Sequence, residues 1–273
     1  MPNRILSFLA LLAAIGLRAQ TVTDDFSSAT NWAAASSFGG GALAISGGRA
    51  NYTATTPTDY DWSIMTWTGG TYSYTSNWEV QVDVHAGAAG VLTTGNQYFY
   101  GSLTVFRTGD TLNGNDDPPA ANLLSADILR NGGSESQFQT GWGLVGDNYY
   151  EAGNVNNSST DAALRVVFDS ATKTLTTYYD ADGATGTYIW TSLSSIDVDG
   201  AQNWNMTGAS TFSLALASYS GDDTTGPAIG AGGVHFDNFS VTAIPEPSTY
   251  ATLAGLGALG LAAWRRRRIA ASA

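Results

Sequence analysis

Glu79, Gln81, Asp83 and His85 alternate with Trp78, Val80, Val82 and Val84 along one stretch of the chain. That alternation is the period of a half-buried strand, so the four polar side chains share one face. Two carboxyls, an amide and an imidazole on one face could do acid–base work or meet the hydroxyls of a sugar. Retaining glycoside hydrolysis asks for two carboxyls about 5–5.5 Å apart. The plain alternative is a solvated strand face. Two further clusters could ligate a cation. Asp180-x-Asp182-Gly183 and Asp197-x-Asp199-Gly200 each set two carboxylates two residues apart before a glycine, and Asp110, Asn113, Asn115, Asp116 and Asp117 crowd a third loop. Oxygen donors in a tight turn suit Ca²⁺, so one structural Ca²⁺ is the only cofactor the sequence raises. Neither Asp-x-Asp-Gly is a full EF-hand-type loop. Asp, Asn and Gly are also ordinary turn residues, and unliganded turns are the alternative.

Other chemistry has little to build on. There is no cysteine, and His85 and His235 are the two histidines, which argues against a His-rich zinc site or a Ser-His-Asp arrangement. Gly255-x-Gly257-x-x-Gly260 matches a dinucleotide fingerprint but follows no strand and sits in an apolar run, so it fails the context that motif needs. Trp32, Trp62, Trp67, Trp142, Trp190 and Trp204 could include a platform for a sugar ring, although most tryptophans of such a domain are core or rim.

The elements that position these residues read as strands. The body is rich in Thr, Ser, Gly, Asn, Tyr and Trp and poor in Lys and Glu, a composition that favours strands and turns. Residues 42–46 and 49–53 flank Gly47-Gly48, a hairpin turn in which paired glycines supply positive φ. Further strands are expected over 62–68, 77–85, 97–107, 121–130, 136–145, 162–168, 174–179, 186–191, 211–219 and 233–242. Over 211–219, Phe212, Leu214 and Leu216 should face inward and Ser213, Ala215 and Ala217 outward. Near the end, Val234, Phe236 and Asn238 should share one face, opposite His235, Asp237 and Phe239. About eleven strands without an amphipathic helix mean an all-β sandwich or barrel. No fixed period points to a propeller or solenoid.

Charge narrows the partners. From Gln20 to Ala243 the basic residues are Arg49, Arg107, Arg130, Arg165 and Lys173, set against all but one of the chain's 23 acidic residues, which gives that span a net charge of −17. A nucleic-acid partner needs a positive field and is not expected. An acidic polysaccharide would be repelled unless a divalent cation bridged it.

Both ends carry targeting signals. Arg4, the apolar run Ile5–Leu17 and Ala19 read as a secretory signal peptide, cut after residue 19. At the other end Pro245-Glu246-Pro247 precedes an uncharged run, Thr249 to Trp264, and then Arg265, Arg266, Arg267 and Arg268. The prolines stop the preceding element. The sixteen-residue run would span roughly 24 Å as a helix, with Tyr250 and Trp264 at its two interfaces, and the arginines keep the C-terminus cytoplasmic. This three-part ending resembles the PEP-CTERM sorting signal of Gram-negative bacteria. The resemblance implies processing by an exosortase, a membrane enzyme, and an exported protein that is transiently anchored and then found at the cell surface or in the matrix, in association with exopolysaccharide and biofilm. An ordinary tail anchor is the alternative. The expected domains are a signal peptide at 1–19, an ectodomain at 20–243 and the sorting signal at 244–273, with membrane contact only through the C-terminal helix before processing.

Leu164-Arg-Val-Val-Phe-Asp169, Lys173-Thr-Leu-Thr-Thr-Tyr-Tyr-Asp180 with Asp182-Gly183, and the closing Phe236-Asp-Asn-Phe-Ser-Val241 resemble strands of the concanavalin A-like jelly rolls, the fold of legume lectins, LamG domains and laminarinases. That resemblance implies two packed antiparallel sheets, one face of which often meets sugar. The laminarinase-type members carry Glu-x-Asp-x-Glu on one strand face; here Glu79, Gln81 and Asp83 align, with Gln in place of the middle acid and the shorter Asp in place of the last Glu. The ectodomain therefore reads as a non-catalytic surface or matrix protein that binds polysaccharide. A laminarinase-like hydrolase and a structural adhesin with a protein partner are the alternatives. Replacing Pro245, Glu246 and Pro247 together by Ala should leave the chain uncleaved and membrane-bound, read from its size and fractionation on a blot. Unchanged processing and location would contradict the sorting reading.

Overall fold

The computed structural model describes residues 19–87, 92, 94–113, 120–132, 136–147, 149–183, 187–200, 202–222, 225–244, 257, 259 and 260. Pro245, Glu246, Pro247, the four arginines 265–268, nearly all of the apolar run before them, and the signal peptide up to residue 18 lie outside this set, as do Asn115, Asp116 and Asp117. Among the described residues no helix is long and apolar enough to cross a membrane.

The strands are β1 (Gln20–Asp24), β2 (Trp32–Phe38), β3 (Gly41–Ser46), β4 (Arg49–Ala54), β5 (Tyr60–Trp67), β6 (Tyr72–Ser73), β7 (Asn77–Ala86), β8 (Tyr98–Arg107), β9 (Leu123–Asn131), β10 (Ser136–Gly143), β11 (Tyr149–Asn156), β12 (Asp161–Asp169), β13 (Thr174–Asp180), β14 (Thr191–Asp197), β15 (Thr211–Gly221) and β16 (Ile229–Ile244). They form two antiparallel sheets. The first runs β14-β13-β12-β7-β16-β4-β3, with β1 paired to β16; the second runs β11-β10-β9-β8-β15-β5-β2, with β6 paired to β15. The fold is the expected all-β sandwich of two antiparallel sheets.

The inner faces meet in one core. Trp78, Val80, Val82 and Val84 of β7 pack with Leu164, Val166 and Phe168 of β12 and with Phe212, Leu214 and Leu216 of β15, all buried. Trp78 lies at the centre, its ring 5.6 Å from Phe168 and 5.2 Å from Phe212. With no cysteine in the chain, this burial and the strand ladders hold the sheets together.

Three local expectations change. Ala215 and Ala217 point outward yet are buried, in a second apolar cluster with Trp62, Ile64, Phe106, Leu112, Ala121 and Leu123 on the outer side of the second sheet. The stretch after β8 that carries Leu112 packs onto that side. It is pinned by Asp110, which accepts hydrogen bonds from Arg107 Nε and Nη2, at 3.0 and 2.7 Å, and from the Asn122 backbone N–H and side-chain amide, at 2.9 and 3.0 Å. On β16, a bulge between Asp237 and Ser240 puts two residues opposite one of β7. Asn238 takes a φ of 49°, and the alternation slips by one. Phe239, not Asn238, therefore joins Val234 and Phe236 inside, packed between Trp32 and Trp67. Finally, the strand expected over 186–191 starts instead at Thr191, while β1, β2, β6 and β11 were not anticipated. Trp78→Ala should destabilise the fold by about 3–5 kcal/mol, the usual scale for truncating a buried aromatic. Chemical denaturation would show this, and a loss under 1 kcal/mol would contradict the central place given to that ring.

Candidate functional site

The expected strand face lies on the outer side of the first sheet, and each of its acids is already engaged. Arg165 ion-pairs with Glu79 from β12 while its guanidinium lies 5.3 Å from the Trp190 ring centre. Asp83 accepts hydrogen bonds from the Tyr188 hydroxyl at 3.0 Å and the Asn238 amide at 2.7 Å, one on each carboxylate oxygen. Burial raises its pKa, and those two donors hold the rise back. His85 Nδ1 is 2.7 Å from Asp161, a contact that lowers the pKa of that carboxyl, and its ring stacks on His235 at 4.7 Å. Gln81 lines a cavity of about 560 Å³ with Asp25, Tyr188, Asn238 and Ser240. Two of its lining side chains, Tyr188 and Asn238, are the donors to Asp83.

The Asp-x-Asp-Gly pairs are turn caps in this structure. Asp180 accepts from the Ile189 N–H at 2.7 Å and the Asp182 N–H at 3.4 Å, and its carboxyl raises the pKa of Asp182. Asp197 accepts from the Asp199 and Gly200 N–H groups at 3.0 and 2.9 Å. Asp197 pairs in register with Thr174, whereas Asp180 ends the same β13 strand six residues on. At about 3.3 Å per residue the two clusters are roughly 20 Å apart and could not share one ion. Among the described residues no group of three or more His, Asp or Glu side chains is placed to hold a metal.

The outer side of the second sheet presents a different surface. Tyr98 and Tyr100 alternate outward from β8, with ring centres 6.3 Å apart and planes within 14°. Tyr100 pairs across strands with Tyr219 of β15, rings stacked at 4.6 Å, and Tyr60 of β5 lies 6.2 Å beyond Tyr219. Beside this row opens a cavity of about 320 Å³, lined by Tyr98, Tyr100, Leu129, Gln139, Tyr149 and Glu151, with Asn131 and Asn96 at its edge. That volume is at the small end for ligand pockets. Among the described residues no basic side chain lines it.

Asp127 lies beside this cavity. It pairs with Ser102 on one side and Gln139 on the other, with 0% of its surface exposed. Its Oδ2 accepts the Ser125 hydroxyl at 3.1 Å; its Oδ1 has no hydrogen-bond partner. Burial lifts its pKa to about 6, against the nearby polar groups of Ser102, Ser125 and Gln139, and the Glu151 charge adds to the rise. The Tyr149 hydroxyl lies 3.3 Å from the Ser125 hydroxyl, across β10 at Gly141, where a Cβ would collide with it. Burial likewise raises the Tyr100 and Tyr149 hydroxyls well above the usual phenol range. The cavity thus joins amphipathic rings, side-chain amides and the Glu151 carboxyl. Such a set offers hydrogen-bond acceptors to a donor-rich ligand.

Of the tryptophans, Trp190 belongs to the first surface, beside Arg165 and stacked on Tyr188. Trp32, Trp67 and Trp204 are core, Trp62 lies under Phe38 at 6.3 Å, and Trp142 stacks on Tyr150 at 4.3 Å. The tyrosines form the more accessible aromatic surface. Tyr98-x-Tyr100 on an expected strand was the readable signal; their cross-strand partners come from register, which the sequence does not show.

In solved structures the architecture is that of a legume lectin-like, concanavalin A-like sandwich. Arcelin-5, a lectin-like defence protein from Phaseolus vulgaris, aligns at 10% identity over 84% of this chain and 99% of its own, with a TM-score of 0.51. The lectin from Bauhinia forficata, solved in complex with GalNAc, aligns at 9% identity over 83% and 98%, with a TM-score of 0.50. Peanut lectin, solved with a nine-residue peptide, aligns at 11% identity over 84% and 100%, with a TM-score of 0.51. At such identities the likeness is one of fold. No curated protein matches the sequence. Residues 243–268 match the PEP-CTERM protein-sorting motif, so the three-part ending is such a signal; it implies an exported protein processed by an exosortase membrane enzyme.

Asp127 gives the site a pH signature. Because its pKa is higher folded than unfolded, the native state holds the extra proton between about pH 4 and 6, and stability should fall as pH rises through that window. Asp127→Asn should flatten this part of the melting-temperature profile, and should be more stable than the parent at pH 8 by on the order of 1–3 kcal/mol. An unchanged slope from pH 4 to 6 would contradict the buried, charge-averse setting of Asp127.

Proposed function

We propose that the ectodomain, residues 20–243, is a non-catalytic carbohydrate-binding module that takes a neutral saccharide in the cavity beside Tyr98, Tyr100, Tyr149 and Glu151. The observation that carries this is the aromatic-walled cavity itself, where the Gln139 amide and the Glu151 carboxyl stand beside three tyrosines and, among the described residues, no Lys or Arg. Acceptors in excess suit a ligand rich in hydroxyl donors, and the absence of Lys or Arg there disfavours uronates and other anions. A lectin-like sandwich as host supports the reading, and one of its structural neighbours is a lectin holding GalNAc. The engagement of Glu79 and Asp83 by Arg165, Tyr188 and Asn238 supports a non-catalytic role over the laminarinase-like alternative. With its sorting signal, the chain is delivered to the surface or matrix of a Gram-negative cell and contacts exopolysaccharide there.

A glycan array probed with the purified ectodomain, with and without Ca²⁺, tests this. Neutral glycans should bind and polyuronates should not. Tyr100→Ala should weaken binding about tenfold, the scale of one lost aromatic contact, and Glu79→Gln should leave it unchanged. A blank array together with self-association would favour the adhesin. Release of reducing sugar, lost in Glu79→Gln, would favour the hydrolase.

A further inference from the structure

The outer face of the second sheet is longer than its cavity. Register aligns Phe38 of β2 with Trp62 of β5, Trp62 with Tyr219 of β15, Tyr219 with Tyr100 of β8, Tyr100 with Leu129 of β9, and Leu129 with Gln137 of β10. One straight row therefore crosses six strands at right angles to them. At about 4.8 Å per strand, Phe38 stands roughly 14 Å from Tyr100, the nearest cavity-lining ring. The rings make two sets, joined where Tyr60, one strand position pair off the row opposite Gly221, and Tyr219 pack against the apolar cluster that holds Trp62. Phe38 stacks on Trp62 within 14° of parallel, Tyr60 sits 6.2 Å from Tyr219, and Tyr219 stacks on Tyr100. Phe38, on the edge strand β2, is 53% exposed above Trp62.

Beside this tall row runs a short one. Ile64, Ala217, Ser102 and Asp127 pair across the same strands, with Ala217 and Ser102 small. On its far side Leu112 and Ala121 of the loop after β8 close over Ala215 and Ala217. The aromatic row is thus a shelf with a backing loop, continuous at one end with the cavity.

We infer that the ligand is a neutral glycan chain laid across the strands, from the cavity along Tyr100, Tyr219 and Tyr60 to Phe38, and not a single terminal sugar. This rests on the carbohydrate-binding reading above. A mono- or disaccharide would fill the cavity and leave the outer rings uncovered. A chain uses them all, and its repeat is of the same order as the strand spacing. Rigid tyrosines supply contact area at little entropic cost, so each further ring adds affinity by exclusion of water and ring contact.

The test is titration calorimetry of the exported protein with neutral gluco- and galactomanno-oligosaccharides, disaccharide against hexasaccharide. The hexasaccharide should bind at least tenfold tighter. Phe38→Ala should remove most of that gain while leaving disaccharide affinity within twofold. Tyr60→Ala should act in the same direction, which guards against a local defect in the edge strand. Equal affinity for both lengths, or a hexasaccharide affinity untouched by Phe38→Ala and Tyr60→Ala, would overturn the chain-binding inference while the carbohydrate reading stood. If neither length binds, the carbohydrate reading itself fails.

Discussion

The structure depends on the closure of two sheets over one apolar layer. An exported chain without cysteine has no disulfide to limit its unfolded state, so burial between the sheets must carry the fold. Trp78, Phe168 and Phe212 occupy the middle of that layer, and β7, β12 and β15 present them from both sides. Once the inner faces are committed to packing, chemistry is left to the two outer faces. The two faces differ. On the first sheet, Glu79 pairs with Arg165, and both oxygens of Asp83 are taken by the Tyr188 hydroxyl and the Asn238 amide. On the second, aromatic rings, small side chains and one buried acid leave acceptor capacity unused.

That difference follows from which residues alternate outward. β7 exposes Glu79, Gln81, Asp83 and His85 next to β12 and β16, whose outward residues include Arg165 and His235. Arg165 neutralises Glu79, Tyr188 and Asn238 take up Asp83, and Asp161 meets His85, so the result is a structural network. β8 and β15 expose Tyr98, Tyr100 and Tyr219, and β9 sends Asp127 in among Ser102, Ser125 and Gln139. Hydroxyls and amides can share an acid but not neutralise it, so its ionisation is pushed upward by burial.

Much of the fold was legible in the sequence because it is local. The alternation of Trp78, Val80, Val82 and Val84 set the inner face of β7, and Gly47-Gly48 set the β3–β4 turn, both glycines taking positive φ. What was not legible depends on pairing between distant strands. Ala215 and Ala217 look like solvent positions until the loop pinned by Asp110 covers them. Phe239 looks outward until the bulge at Asn238 shifts the period by one. The acids that looked most reactive on β7 were the easiest to see, because one strand displays them together. The tyrosine row is spread over β5, β8 and β15, more than 150 residues apart in sequence from Tyr60 to Tyr219, and only register assembles it.

Ligand is expected on the outer face of the second sheet, not in the cavity around Gln81 on the first. Hydroxyl-radical footprinting of the exported protein, with and without a saturating neutral hexasaccharide, distinguishes the two faces directly. Tyr98, Tyr100, Tyr219 and Phe38 should lose reactivity while Tyr188 and Trp190 keep theirs. Protection of Tyr188 and Trp190, with the tyrosines of β8 and β15 unchanged, would place the ligand on the other sheet and contradict the account.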